Sequence, residues 1–206
     1  MGLLLADGFL EKRKASHNTR LRVDHTYPTQ EAYVKHLYEI FNPMCGKQPV
    51  ISIRKPDKTT GKIYSSIAFK TYNLRSLNEY YTLFYKNTGD FHLSGQPRYK
   101  KIVASNIQDL LTPIGIAHWV MGDGYFTKDK TVVLCTESFS KHEIELLVNA
   151  LQTKFAIAAG VLKRVSSSEK SGLRIRISKK SMQRFIALIT PFFIPEFYYK
   201  LGITNF

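Results

Sequence analysis

Between Ile114 and Gly122 the chain carries a single polar side chain, His118, so this stretch predicts a helix with no wet face. Thr112 and Pro113 set its start, because Thr caps free N–H groups and Pro fits the first helical position. Small residues at Gly115, Ala117 and Gly122 leave room for a second backbone to approach, and the run ends on Asp123-Gly124. A shorter copy, Gly2-Leu3-Leu4-Leu5-Ala6-Asp7-Gly8, opens the chain. One carboxylate at the end of a buried helix resists desolvation unless it meets a cation. A single helix ending in Asp-Gly is an ordinary stop; two after apolar runs are far more specific.

Elsewhere the hydrophobic period shortens. In Thr19–His25, Leu21 and Val23 face one way and Arg20, Arg22 and Asp24 the other, which predicts a half-buried strand with a cationic face. Thr29 opens a helix whose apolar stripe is Tyr33, Val34, Leu37, Ile40 and Phe41. Val50–Arg54 and Ile63–Lys70 read as strands, and Ser76–Glu79 is a capping-box signature for a helix turning Tyr80, Tyr81, Leu83 and Phe84 inward. Residues 86–108 lack periodicity and predict a linker. After Asp123 the order recurs. Segments 125–130 and 131–136 precede a capping box at Ser140–Glu143 and a helix through Ile144, Leu147, Val148 and Leu151. Strands at Val161–Val165 and Leu173–Ile177 follow, then a helix from Ser181.

Matched landmarks stand 116 residues apart at Asp7 and Asp123 and 100 apart at Tyr99 and Tyr199, so the first half has longer loops. The reading is an α+β fold of two pseudo-symmetric αββαββα repeats, residues 1–95 and 112–206, joined by a linker at 96–111. Each repeat must bury its apolar helix, and pairing the two along their small residues buries both.

Charge narrows the partner. Thirty Lys and Arg against sixteen Asp and Glu give +14 over 206 residues, which points to a polyanion. No apolar run is long enough to span a bilayer, so a membrane is not the expected partner. Leu3-Leu4-Leu5 lacks the basic flank of a signal peptide. Cys45 and Cys135 are read as buried small hydrophobes in a reducing compartment, and the six histidines show no zinc-ligand spacing.

The two motifs, Gly2 to Gly8 and His118 to Gly124, resemble those of the LAGLIDADG homing endonucleases, in the single-chain, two-motif form encoded by group I introns. Leu5 and Met121 depart from the motif's earlier Asp, and His118 from an interface Gly. Family members usually carry two more helical turns before Gly2, which implies a shorter helix pair here. The resemblance implies the same fold, with paired LAGLIDADG helices at the interface and antiparallel sheets forming a DNA-binding saddle.

Pairing the helices would set Asp7 and Asp123 side by side, where two carboxylates repel unless a divalent cation intervenes. Carboxylate, phosphate and water oxygens suit Mg²⁺ or Mn²⁺, with Ca²⁺ expected to support binding but little cleavage. The resemblance adds the Ala6 and Gly122 backbone carbonyls as metal ligands and one basic residue per half beside the scissile phosphate. Those residues are Lys200 and Lys100, with the adjacent Lys101 open beside it. Arg20, Arg22, Arg54, Lys163, Arg174 and Arg176 on the strands, with Lys12, Lys14 and Lys128 beside them, are the candidate DNA contacts.

The expected activity is sequence-specific cleavage of both strands at a long asymmetric duplex site by a monomer, initiating intron mobility. An RNA maturase acting on intron RNA and a DNA-binding module without cleavage stay open beside it. The resemblance suggests an organelle, the mitochondrion ahead of the chloroplast.

Overall fold

Alternation and helical spacing give elements close to those expected in a computed structural model that describes residues 1–14, 16–91, 97–164 and 172–203. In order they are α1 (Gly2–Leu5), β1 (Phe9–Glu11), β2 (Arg20–Thr26), α2 (Glu31–Phe41), β3 (Val50–Ile53), β4 (Ser65–Lys70), α3 (Leu77–Phe84), β5 (Tyr85–Phe91) and β6 (Pro97–Lys101). Then come α4 (Ile107–Leu110), α5 (Pro113–Asp123), β7 (Gly124–Phe126), β8 (Val132–Cys135), α6 (Lys141–Phe155), β9 (Ala159–Arg164), β10 (Gly172–Ile177) and α7 (Met182–Ile189). A 3₁₀ segment, Pro195–Leu201, follows. Helices are mixed with antiparallel sheets, and the duplication is visible in topology. One four-stranded sheet runs β1-β2-β4-β3 and the other β7-β8-β10-β9, the same order from corresponding strands.

The chain divides into two compact units, Met1–Ala6 with Thr82–Phe206, and Asp7–Tyr81. In the second of these, β2 turns Leu21 and Val23 into the core, where Tyr33, Val34 and Leu37 of α2 are fully buried. Arg20, Arg22 and Asp24 lie on the opposite face, as the alternation requires. Ile40 falls outside the buried stripe, 45% exposed near the end of α2. In the larger unit, Ser140 and Glu143 form the expected reciprocal cap at the start of α6. Ile144, Leu147, Ala150 and Leu151 of that helix are buried.

Three expectations are corrected. The stretch read as a linker contains the β5–β6 hairpin and α4, although residues 92–96 lie outside the described residues. Almost every residue of the hairpin is exposed, so no buried face imposes a hydrophobic period on it. Tyr80 is exposed rather than inward, and Phe84 alone of the four named residues in α3 is buried. Cys45 and Cys135 are free thiols, each half-buried rather than enclosed. The strand expected to reach Val165 is β9, ending at Arg164; Val165 lies outside the described residues.

Candidate active site and nucleic-acid interface

The apolar helix is built as its sequence demands. The Thr112 side chain accepts from the Gly115 N–H at 3.1 Å, Pro113 fills the first turn, and Gly115 to Met121 are all buried. α1 packs on α5 within the larger unit. The approach is backbone to backbone, because a Cβ on Gly2 would fall 1.7 Å from the Gly115 carbonyl oxygen. Each helix then runs out at a small residue followed by Asp: Ala6 before Asp7, Gly122 before Asp123.

Both ends carry the same contact. Lys200 is buried, and its Nζ donates to the Met121 carbonyl at 2.6 Å and the Gly122 carbonyl at 3.1 Å. Lys101 Nζ donates to the Ala6 carbonyl at 2.8 Å. Carbonyls in a helix's last turn carry partial negative charge and lack intrahelical partners, which is why an ammonium settles there. Of the two lysines left open by sequence, Lys101 makes this contact. Lys100 is exposed on β6, where its charge helps hold the Glu143 carboxyl below the usual range. Burial pushes that carboxyl upward, but hydrogen bonds from Ser140 and the Val103 N–H, with the Lys100 charge, outweigh it.

The two carboxylates have different neighbours. Asp7 is half exposed, with its Oδ2 3.6 Å from Nδ1 of His25. His25 is buried on the core face of β2 and meets the Tyr33 ring edge-on, centroids 5.5 Å apart. Asp7 and His25 line a concavity of about 530 Å³ with Asp24, Gln30, Arg54 and Ser66. Asp123 is half-buried, and its charge reaches Cys135, whose thiol is pushed up first by burial and further by Glu137 and Asp123. His25 was legible only as an irregularity, a polar residue at the inward position after Leu21 and Val23.

A hard divalent ion fits this donor set. Among the described residues no cluster of three or more His, Cys, Asp or Glu side chains could hold a metal, so most ligands would have to be water, phosphate or carbonyl oxygen. The Ala6 and Gly122 carbonyls already face a cation, the lysine ammonium, and each carbonyl oxygen keeps a second lone pair.

The arginines expected to face DNA are largely paired with acids. Arg20 meets Glu11 at 2.6 Å, Arg22 meets Asp24 at 2.6 Å, Arg174 meets Glu137 at 2.5 Å and Arg176 meets Asp129 at 3.0 Å. Arg164 shares Glu137 at 3.3 Å. Burial raises the Glu137 carboxyl, but hydrogen bonds and charge from Arg174, joined by Arg164, outweigh it and hold that carboxyl below the usual range. Glu11 is held low in the same way by Arg20 and Arg13 against burial. Lys14, Arg54, Lys128 and Lys163 are exposed and carry no acid partner among the described residues, and Lys12 lies over the Tyr81 ring at 5.9 Å. Sequence alternation found the arginines but not their partners, since Glu11, Asp129 and Glu137 lie outside the alternating strands that carried the signal.

Known proteins resemble the chain in sequence and in fold. The family model "LAGLIDADG DNA endonuclease family" matches residues 1–185. The chain is similar to DNA endonuclease I-ChuI of Chlamydomonas applanata, 31% identical over 209 residues, covering 99% of this chain and 93% of that protein. It is also similar to cytochrome b mRNA maturase bI2 of Saccharomyces cerevisiae, 30% identical over 205 residues, covering 98% of this chain but only 46% of the maturase. Among solved structures, homing endonuclease I-WcaI bound to its DNA recognition sequence superposes with a TM-score of 0.81 at 25% identity, covering all of this chain and 84% of that one. With two helix-borne Asp motifs, a duplicated sheet order and a match over most of its length, the chain belongs to the LAGLIDADG DNA endonuclease family.

Proposed function

We propose that the chain is a homing endonuclease that binds a long, asymmetric duplex DNA site as a monomer and hydrolyses one phosphodiester in each strand with Mg²⁺. The observation that carries this reading is the repeated constellation at the helix ends. Asp7 follows a carbonyl held by Lys101, and Asp123 follows carbonyls held by Lys200. A protein that only bound DNA would need neither acid nor a buried ammonium there.

Asp7 with the neighbouring Ala6 carbonyl, and Asp123 with the neighbouring Gly122 carbonyl, would be the ligands that this chain offers to divalent ions. When bound, a divalent ion supplies a more acidic water and neutralises charge on the reacting phosphodiester. Lys101 and Lys200 fix the carbonyls at the helix ends and place a positive charge where the phosphate gains negative charge in the transition state. His25 Nδ1 lies 3.6 Å from the Asp7 carboxylate on its protein side, leaving the exposed half of that carboxylate toward solvent and substrate. The cationic sheet faces bind the flanking duplex.

The similarity to a cytochrome b mRNA maturase supports a second reading, in which the same surface binds intron RNA and assists splicing. An organelle, in first place the mitochondrion, is the compartment that fits either activity. Incubating the protein and Mg²⁺ with a DNA library tests the first reading: it predicts cleavage at one enriched sequence. No cut at any sequence, with tight binding to a structured intron RNA, would favour the second.

A further inference from the structure

The aromatic residues two positions after the motif acids are Phe9 and Tyr125. Each lies beneath a guanidinium: Arg22 is 5.4 Å from the Phe9 ring centre and Arg174 is 5.5 Å from that of Tyr125. Each guanidinium also meets a carboxylate, Asp24 for Arg22 and Glu137 for Arg174, and Arg174 donates to the Tyr125 hydroxyl at 2.9 Å. Duplication alone does not account for the match. Phe9 and Arg22 are direct cross-strand partners on β1 and β2, whereas the cross-strand partner of Tyr125 is Val133, and Arg174 comes from β10. The same arrangement is built from non-equivalent positions.

A carboxylate this close cancels most of the guanidinium's charge at a distance, so such an arginine is a poor anchor for phosphate. It is a good geometric probe. Aromatic stacking and the ion pair remove rotamer freedom before binding; with Arg22 Nε buried and Arg174 Nε and Nη2 facing Glu137, the N–H groups left for a ligand are the remaining ones of the terminal nitrogens. The base edge that matches them is that of guanine, whose O6 and N7 accept a bidentate arginine in the major groove. Both side chains keep some exposure, 34% for Arg22 and 18% for Arg174. The unpaired cations Arg54, Lys128 and Lys163 have the opposite character, full charge without fixation, which suits phosphate.

We infer that Arg22 and Arg174 are specificity-determining residues, each reading one guanine of the target, with Phe9 and Asp24, and Tyr125 and Glu137, as their positioning residues. This rests on the reading that the sheet faces bind duplex DNA.

The test is selection from randomised duplexes in Ca²⁺, with affinities then measured over a range of salt, for wild type, Arg22→Lys, Arg174→Lys, Arg22→Ala, Arg174→Ala and Arg54→Ala. The wild-type consensus should contain a G·C pair whose preference falls about tenfold or more in Arg22→Ala and Arg174→Ala, with a smaller fall in the lysine variants, which keep a donor but lose the planar fork. The salt dependence of binding should hardly change in the alanine variants. Arg54→Ala should leave the consensus intact and lower the slope of log K against log salt by about 0.9. Guanine preference surviving in the alanine variants would overturn the assignment, as would a lowered slope with an intact consensus in Arg22→Ala or Arg174→Ala. A wild-type chain that selects no consensus would instead remove the reading of target-site recognition, and this assignment with it.

Discussion

Lys200 donates a 3.1 Å hydrogen bond to the carbonyl of Gly122, the residue immediately before Asp123, and does so from a buried position. The same ammonium reaches Met121 at 2.6 Å, so one cation holds two carbonyls at the end of α5. Lys200→Met keeps the length of the side chain and removes the charge. Single-turnover cleavage should slow by about a hundredfold or more, the scale of losing one electrostatic stabiliser, while DNA affinity changes little. Lys101→Met should do the same, and Lys100→Met should not.

His25 makes the two acids unequal. Counted from the strand register, the position of His25 is taken in the second repeat by Thr136, whose hydroxyl is committed to the Leu173 carbonyl at 2.8 Å. His25→Ala should therefore slow the step that depends on Asp7 more than the one that depends on Asp123. On a plasmid substrate this appears as nicked circles accumulating before linear product. Equal slowing of both strands would remove the positioning role.

How much of this was legible in the sequence depended on whether packing leaves a pattern. Leu21 and Val23 alternate with Arg20 and Arg22 because one face of β2 is buried, and that alternation alone marks the strand. The cap at Ser140 was readable because Ser and Glu three apart have a local mechanism. The β5–β6 hairpin left no trace, since Lys86, Asn87, Gly89 and Asp90 bury nothing. Lys101 could not be separated from Lys100 because adjacent strand residues point to opposite faces, and only the structure says which one meets Ala6. The acids that pair with Arg20, Arg174 and Arg176 come from other strands and loops, a relation that no linear spacing encodes.

Stability of the α1–α5 contact should be sensitive to one methyl group. Gly2→Ala would drive a Cβ into the Gly115 carbonyl, and separating the two backbones should cost about 1–3 kcal/mol in denaturant unfolding. Thr112→Ala, which removes the cap on the Gly115 N–H, should cost about 1 kcal/mol.

Acid should weaken the second sheet through Glu137. Burial would raise its carboxyl, but Arg174 and Arg164 hold it below the ordinary glutamate value of 4.5 in the folded protein, so the unfolded chain binds the proton more readily. The resulting stability is fully present above that value and is lost as pH falls through the folded pKa. Glu137→Gln should be less stable than wild type at neutral pH, and urea midpoints should converge as the solution is acidified below 4.5. A gap that stays constant with pH would mean that Glu137 acts through packing rather than charge.

The most direct test of the account is plasmid cleavage by the Asp7→Asn, Asp123→Asn double variant. Asn is nearly isosteric, so the helix ends should survive, but it lacks the charge that would hold a divalent ion beside a phosphate. A supercoiled plasmid carrying the selected site is incubated in Mg²⁺, beside a gel shift on the same duplex. The account predicts wild-type-like binding by the double variant with no linear product, the behaviour also expected of the unaltered protein in Ca²⁺. Linear product at the wild-type rate would contradict the assignment of Asp7 and Asp123 as the catalytic centre.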